Sequence, residues 1–125
     1  MNTENVAVLG ASDKADRYSN MAIKLLKEFG HRPIPVNPTL QKIEGFSCYK
    51  DLIDLAKKEK KIDTLTVYVN PRVSTDLSSA ILQLKPGRVI FNPGSENLKL
   101  TDDLDHAGIP WENACTLVLL RTGQF

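Results

Sequence analysis

Short apolar runs alternate with longer amphipathic stretches along the whole chain. Most of the runs end at Gly or Asn, and their length and content of β-branched residues are typical of buried strands. The predicted strands are Asn5–Leu9, Arg32–Val36, Thr64–Val69, Arg88–Phe91 and Ile109–Trp111.

The stretches between the strands repeat apolar residues at helical spacing. In the first stretch the apolar face consists of Ala22, Leu25, Leu26 and Phe29. We expect Ser19 to cap this helix and Gly30 to follow its last turn. The predicted helices are Ser19–Phe29, Tyr49–Lys58, residues 73–84 and Glu96–Ala107, with a turn and a short helix over 112–120. The second helix is expected to turn Leu52, Ile53, Leu55 and Ala56 toward the core, and Thr39–Cys48 is expected to be an irregular crossover.

Strict alternation of strands and helices predicts an α/β fold. Because parallel strands need right-handed crossovers, the expected architecture is Rossmann-like, with a parallel five-stranded sheet and helices on both faces. With 125 residues, we expect one domain over residues 1–125. In open sheets of this kind, ligands bind at the carboxyl ends of the strands.

Charge and cysteine content narrow the possible partners. The net charge is +1, from 16 basic and 15 acidic residues, which gives no electrostatic argument for nucleic acid or an anionic membrane. No apolar segment approaches the roughly 20 residues of a membrane span, and the polar N-terminus does not resemble a signal peptide. Cys48 and Cys115 make neither a metal motif nor a disulfide framework. The expected location is the cytoplasm.

Four strand ends carry turn residues that would meet at one edge of the sheet. They are Gly10-Ala11-Ser12, Asn37-Pro38, Asn70-Pro71 and Asn92-Pro93-Gly94. A residue before Pro is kept out of the α region, so each Asn-Pro pair ends its strand, and the Asn amides can donate and accept there. We expect this edge to bind the ligand.

The first strand end favours a phosphorylated ligand. Gly10, Ala11 and Ser12 offer backbone donors, and the helix after Ser19 adds the positive end of its dipole. Cations at this end could come from Lys14, Arg17 and Arg72.

Two departures from the dinucleotide-binding motif argue against NAD or a flavin. Ser12 takes the place of the second glycine, and strand two ends in Val36-Asn37-Pro38 without an acidic residue. The chain also lacks a Walker P-loop.

A set of short motifs follows in order through the chain. They are Val8-Leu9-Gly10-Ala11-Ser12, Arg17-Tyr18-Ser19-Asn20, Gly30-His31, Pro35-Val36-Asn37-Pro38, Gly45, Tyr49, Asn92-Pro93-Gly94-Ser95-Glu96-Asn97 and Glu112-Asn113-Ala114-Cys115. In order and spacing this set resembles the small single-domain coenzyme A (CoA)-binding proteins. Those proteins have a Rossmann-like fold and are related to the CoA-binding domain of the succinyl-CoA synthetase alpha subunit. The resemblance covers nearly the whole chain.

The resemblance implies a small-molecule ligand, CoA or an acyl-CoA, along the carboxyl edge. At the phosphate end it places Gly10, Ala11, Ser12 and Ser19, with Lys14 and Arg17 nearby. It places Asn37 and Pro38 on the adenosine side. The floor of the site would consist of Val69, Asn70 and Pro71, and the pantetheine side of Asn92, Pro93 and Gly94. The family often has charged residues after strand three, where this chain has Val69-Asn70-Pro71.

The residues give no catalytic constellation: no Ser-His-Asp spacing, no paired carboxylates near the edge and no metal ligands. A non-catalytic binding protein is therefore the first interpretation. One alternative is a non-catalytic subunit of a CoA-ligase enzyme whose partner brings ATP and the catalytic groups. Another is a thiol or redox sensor acting through Cys115, which falls at the family's cysteine position, although a free cysteine is more commonly a small buried residue. The apolar residues at 117–120 leave a homodimer possible.

Overall fold

Seven strands and six helices follow one another along residues 3–125, the part of the chain that the computed structural model describes. The strands are β1 (Asn5–Leu9), β2 (Arg32–Val36), β3 (Lys42–Ile43), β4 (Phe46–Ser47), β5 (Thr64–Val67), β6 (Arg88–Phe91) and β7 (Trp111–Asn113). The helices are α1 (Tyr18–Glu28), α2 (Leu52–Lys58), α3 (Pro71–Asp76), α4 (Ser78–Leu84), α5 (Leu98–Ala107) and α6 (Thr116–Arg121). None of these helices is long and apolar enough to cross a membrane.

Five strands form one parallel sheet in the order β2-β1-β5-β6-β7, and β3 and β4 form a separate antiparallel hairpin. Ala7 at the centre of β1 lies between Ile34 of β2 and Leu65 of β5. A single parallel bridge joins Val36 to Tyr49 beyond β2. If that bridge is counted as a vestigial strand, the order is the 3-2-1-4-5-6 of the Rossmann fold. The predicted Rossmann-like α/β class is confirmed.

Each face of the sheet covers its own apolar core, because successive strand residues point to opposite faces. On one face α2, α4 and α5 pack over a large cluster that includes Ala7, Leu9, Val36, Leu65, Phe91 and Leu104. On the other face α1, α6 and the hairpin cover Val6, Val8, Ile23, Leu26, Ile43 and Leu120.

Two prolines protect the outer edge of β2. Arg32 N–H donates to Glu4 O, and Ala11 N–H donates to Val36 O, so these residues of β2 face β1. The alternate positions, Pro33 and Pro35, therefore face outward and present no unpaired N–H group. Pairing with another strand is weakened at such an edge.

Helix α1 begins one residue before the sequence predicts. Its N-cap is Arg17, with φ −86° and ψ 140°, rather than Ser19. Ser19 instead lies inside the first turn and is 4% exposed. The prediction of a Ser19 cap was wrong because the extended backbone that a cap needs occurs two residues earlier, which leaves the Ser19 hydroxyl at the carboxyl edge.

The other differences concern helix limits and faces and the limits of two strands: β5 ends at Val67 rather than Val69, and β7 is Trp111–Asn113 rather than Ile109–Trp111. The predicted third helix is two helices that meet at Leu77, and the predicted irregular crossover contains the β3–β4 hairpin. Helix α2 begins at Leu52 with Asp51 as its cap, so Leu52 and Leu55 face the core while Ile53 is 53% exposed and Ala56 is also exposed. In α1, Ile23 is buried and Phe29 is 38% exposed.

Candidate functional site

Three cavities lie side by side at the carboxyl edge of the sheet. The central cavity, about 400 Å³, is lined by Gly10, Ser12, Arg17, Tyr18, Ser19, Tyr68, Val69, Asn70, Pro93, Gly94 and Ser95. The β2-side cavity, about 350 Å³, is lined by Leu9, Gly10, Ala11, Val36, Asn37, Pro38, Lys50, Asp51, Leu52, Val69, Val73 and Leu77. The α6-side cavity, about 290 Å³, is lined by Tyr18, Tyr68, Asn92, Pro93, Cys115, Leu117, Val118 and Arg121.

Shared walls join the three cavities into one cleft. Gly10 and Val69 line both the central and the β2-side cavities. Tyr18, Tyr68 and Pro93 line both the central and the α6-side cavities. An elongated ligand could therefore cross the edge of the sheet from the end of β2 to the start of α6.

Gly10 allows the turn after β1 to lie close to Tyr68 and Val69, the residues that follow β5. Its φ is +86°, in the left-handed region that favours glycine, and an added Cβ would lie 2.9 Å from Val69 Cγ1 and 3.2 Å from the carbonyl carbon of Tyr68. A side chain at this position would be strained and would also displace the neighbouring backbone. The turn thus presents bare backbone to the cleft.

Helix α1 points its N-terminus at the central cavity without a side-chain cap. Asp51, Asn70 and Asn97 cap α2, α3 and α5, whereas Arg17 makes no capping hydrogen bond. Because the first N–H groups of a helix have no partner within it, an anion in the cavity could accept from them. The Arg17 guanidinium adds a cation at the same place.

A buried asparagine holds the turn above the central cavity. Asn20 is 0% exposed, and its Nδ2 donates to Ser12 O and to Glu44 Oε2, both at 3.0 Å. Ser12 Oγ accepts from the N–H of Lys14 at 3.1 Å. The Oδ1 atom of Asn20 is buried without a partner in the described structure. The turn is therefore tied to the tip of the β3–β4 hairpin.

The three asparagines of the strand ends are largely committed within the protein. Asn37 Nδ2 donates to Ala11 O at 2.9 Å, and its Oδ1 accepts from the N–H groups of Thr39 and Leu40. Asn70 Oδ1 caps α3. Asn37 lies at the edge as expected, but its amide stabilises the turn rather than remaining free.

Asn92 is the centre of a buried polar cluster below the cleft. Its Nδ2 donates to Thr66 Oγ1 at 2.7 Å and to Val67 O at 2.9 Å, and its Oδ1 accepts from the N–H of Thr116 at 2.9 Å. The Thr66 and Thr116 hydroxyls are 2.8 Å apart and hydrogen-bonded. Asn92 therefore satisfies the start of α6, and its amide is committed within the protein although the residue lines the α6-side cavity.

The Tyr68 hydroxyl adjoins that cluster but has no hydrogen-bond partner in the described structure. Burial raises the pKa of Tyr68 to about 12, and the nearby hydroxyls of Thr116 and Thr66 offset only part of that shift. The phenol is consequently neutral at physiological pH. Its ring forms the wall between the central and α6-side cavities.

The two cysteines occupy different surroundings. Cys115 is partly buried, precedes α6 as its N-cap residue and lines the α6-side cavity. Cys48 lies by the hairpin, where burial raises the pKa of its thiol. Within residues 3–125, no group of three or more His, Cys, Asp and Glu side chains could hold a metal ion.

The structure brings most of the predicted site residues into the cleft. Of the residues named from the sequence, Lys14, Pro71 and Arg72 do not line any of the three cavities. The lining residues that sequence reasoning missed include Tyr18, Tyr68, Lys50, Asp51, Ser95, Leu117, Val118 and Arg121. An aromatic residue at a helix start, as with Tyr18, was the one usable signal among them.

A parallel sheet with helices on both faces and a cleft at its carboxyl edge places the chain in the Rossmann-like class of α/β proteins. Within that class, the chain belongs to the CoA binding domain family, whose pattern matches residues 4–121.

Individual relatives extend this result. The chain is 36% identical over 70 residues to the ADP-forming acetate–CoA ligase of Methanocaldococcus jannaschii. The aligned segment is 56% of this chain and 9% of the ligase. It is 33% identical over 66 residues to the uncharacterized protein YneT of Bacillus subtilis, covering 53% of this chain and 47% of that protein. These alignments thus span less than half of either curated relative. The solved structure of cell-free ID.343 from Thermus thermophilus has a TM-score of 0.86 and 31% identity, covering 98% of this chain and 91% of that one.

Proposed function

We propose that the protein binds CoA across the carboxyl edge of the sheet without turning it over. The observation that carries the proposal is the joined cleft, whose three parts match three parts of CoA in order. The β2-side cavity would take the adenosine, the central cavity the diphosphate and the α6-side cavity the end of the pantetheine arm.

The chemistry of each part supports this order. The β2-side cavity has apolar walls at Leu9, Val36 and Leu52, which suit the face of an adenine ring. The central cavity combines Arg17 with the uncapped start of α1, and both favour a diphosphate. Gly10 supports the same cavity, because its missing Cβ lets the first turn lie against Tyr68 and Val69, which also line the cavity.

The lining of the cleft favours binding over catalysis. Among the described residues that line the three cavities, the one carboxylate is Asp51, whose side chain accepts from the N–H of Asp54 to cap α2. General acid–base catalysis needs a positioned titratable group at the reacting atoms. Cys115 is the one thiol among the described residues that line the cleft, and a sensor role through this thiol is the alternative for the residue.

A second candidate is a CoA-ligase part that works with a partner supplying ATP and catalytic groups. The similarity to the acetate–CoA ligase of Methanocaldococcus jannaschii favours it. Co-purification of an ATP-binding subunit from native cells would support this alternative over the free-standing binding protein.

Isothermal titration with CoA, NAD and FAD tests the proposal directly. We expect heat with CoA and none with the other two, and no heat with CoA at high protein concentration would overturn the proposal. Arg17→Gln should weaken CoA binding about tenfold through the lost charge-assisted contact. Lys14→Gln is the matched control: it removes an equal charge from the same turn, but from a side chain outside the lining of the cleft.

A further inference from the structure

The α6-side cavity differs in character from the rest of the cleft. Its walls are the rings of Tyr18 and Tyr68 together with Pro93, Leu117 and Val118. Among the described residues that line it there is no carboxylate, and the one charged residue is Arg121, which is exposed. The surface is therefore suited to an uncharged, apolar group.

The mouth of this cavity leaves apolar side chains in water. Tyr18 is 70% exposed and Val118 is 52% exposed, although Leu117 beside them is 5% exposed. Exposed apolar surface that lines a concave site favours an apolar occupant, since covering it removes that area from water. Both side chains stand on helices whose opposite faces pack against the sheet, so this surface is held in place without a ligand.

The position of the cavity indicates what that occupant is attached to. It shares Tyr18, Tyr68 and Pro93 with the central cavity and so continues the path of the ligand beyond the diphosphate. Cys115 lines the same end. An extended CoA molecule that follows the cleft in the proposed direction ends here with its sulfur.

We propose that this cavity is an acyl subsite, so that the ligand bound most tightly is a short, uncharged acyl thioester of CoA rather than free CoA. This inference rests on the proposed function and on the proposed direction of CoA in the cleft. Tyr18 and Val118 would cover the acyl chain and set its preferred length.

Titration with CoA, butyryl-CoA and hexanoyl-CoA tests the subsite. Each methylene group that becomes buried should raise affinity about fourfold, so butyryl-CoA should bind at least tenfold more tightly than CoA. Equal affinities for CoA and both thioesters would overturn the inference while leaving CoA binding intact. Absence of binding by CoA and all thioesters would instead overturn the proposed function itself.

A pair of exposed apolar residues gives a matched variant and control. Val118→Ser should reduce the advantage of butyryl-CoA over CoA about fourfold, because the acyl chain loses part of its apolar cover. Ile53→Ser removes a side chain of equal exposure, 53%, on α2 and outside the cleft, and it should leave the ratio unchanged. The inference fails if both variants alter the ratio equally.

A charged thioester checks the polarity of the subsite. Succinyl-CoA extends the acyl chain with a carboxylate, which Arg121 at the rim could attract. We expect butyryl-CoA to bind more tightly than succinyl-CoA, because the carboxylate would have to leave water for an apolar cavity. The reverse preference would overturn the apolar assignment.

Discussion

The two edges of the sheet carry cavities of opposite character. The amino-edge cavity is about 770 Å³, larger than the central cavity at about 400 Å³, and is lined by Thr3, Glu4, Lys61, Asp63, Gly87, Arg88 and Pro110. Its polar groups pair with one another. Glu4 accepts from Thr64 and from Arg88, and Asp63 accepts from the N–H of Asn5 and lies 3.3 Å from Lys61.

The carboxyl edge leaves polar groups unpaired. Helix α1 starts there without a cap, and the two buried side-chain atoms that lack partners in residues 3–125, Asn20 Oδ1 and Tyr68 Oη, both lie beside the cleft. Buried polar groups are nearly always hydrogen-bonded to protein or to ordered water, so these two atoms can accept a partner from outside the chain. Polar groups left without partners, rather than cavity volume, therefore distinguish the carboxyl edge from the amino edge.

The largest predicted effect is that of Gly10→Ala. A left-handed φ of +86° and a Cβ 2.9 Å from Val69 Cγ1 should together cost about 2–5 kcal/mol of folding stability and abolish CoA binding. Chemical denaturation and titration measure the two effects. Gly94→Ala, which is also left-handed but meets nothing within 4 Å, is the control and should retain the turn above the cavity.

Asn92→Ala tests whether a polar side chain at the carboxyl edge serves folding stability rather than ligand binding. The substitution leaves the N–H of Thr116 and the hydroxyl of Thr66 without their amide partner, so unfolding should need about 2–3 kcal/mol less. Affinity for CoA should change much less than for Arg17→Gln. A large loss of affinity with unchanged stability would instead mean that the Asn92 amide contacts the ligand.

Asn92 also shows where sequence reasoning ends. Its place at the carboxyl edge follows from the strand pattern and from Pro93, which are local. Whether its amide is free depends on Thr66 and Thr116, which are distant in the chain and meet it only in the folded protein. Local patterns therefore predicted the position of the edge, the fold class and the bare turn at Gly10, but not which polar groups remain available.

Two of the residues that sequence reasoning missed share one physical cause. Leu117 and Val118 sit in a short apolar run, and such a run predicts core whether or not one of its residues faces a cavity. The predicted start of α1 was wrong for a related reason. Ser19 is a residue type that often caps helices, but the extended backbone conformation of an N-cap occurs at Arg17. Both the exposure of Leu117 and Val118 to the cavity and the start of α1 depend on tertiary packing, which cannot be inferred from a single segment of the sequence.

A double substitution at the amino edge tests the other half of the comparison. Glu4→Gln with Arg88→Met removes a partly buried ion pair whose atoms lie 3.4 Å apart and should lower stability by about 1 kcal/mol. CoA affinity should stay within twofold of that of the original chain, because the amino edge lies at the opposite ends of the strands from the cleft. A tenfold loss of affinity would contradict the separation of the two edges.

The smallest effect concerns the paired polar groups at the outer side of β2. Arg32 donates to both Glu59 oxygens at 2.8 and 2.9 Å and Tyr49 Oη donates to Oε2 at 2.6 Å. Chiefly through Arg32, these contacts hold the pKa of Glu59 below its ordinary value of 4.5. A lowered folded-state pKa adds stability that is present above the unfolded value and is lost as the pH falls through the folded one. Since Arg32 is half exposed, the contribution at pH 7 should be at most about 1 kcal/mol.

Glu59→Gln should therefore be slightly less stable than the original chain at pH 7, and the difference should shrink as the pH falls below 4.5, as followed by denaturation at several pH values. Tyr49→Phe is the control, since it keeps the Arg32 pair and removes one hydrogen bond. CoA affinity should be unchanged in both variants, because this cluster, like the amino edge, already satisfies its own charges. A pH-dependent loss of CoA binding in Glu59→Gln would show instead that a paired cluster away from the cleft still controls the binding edge.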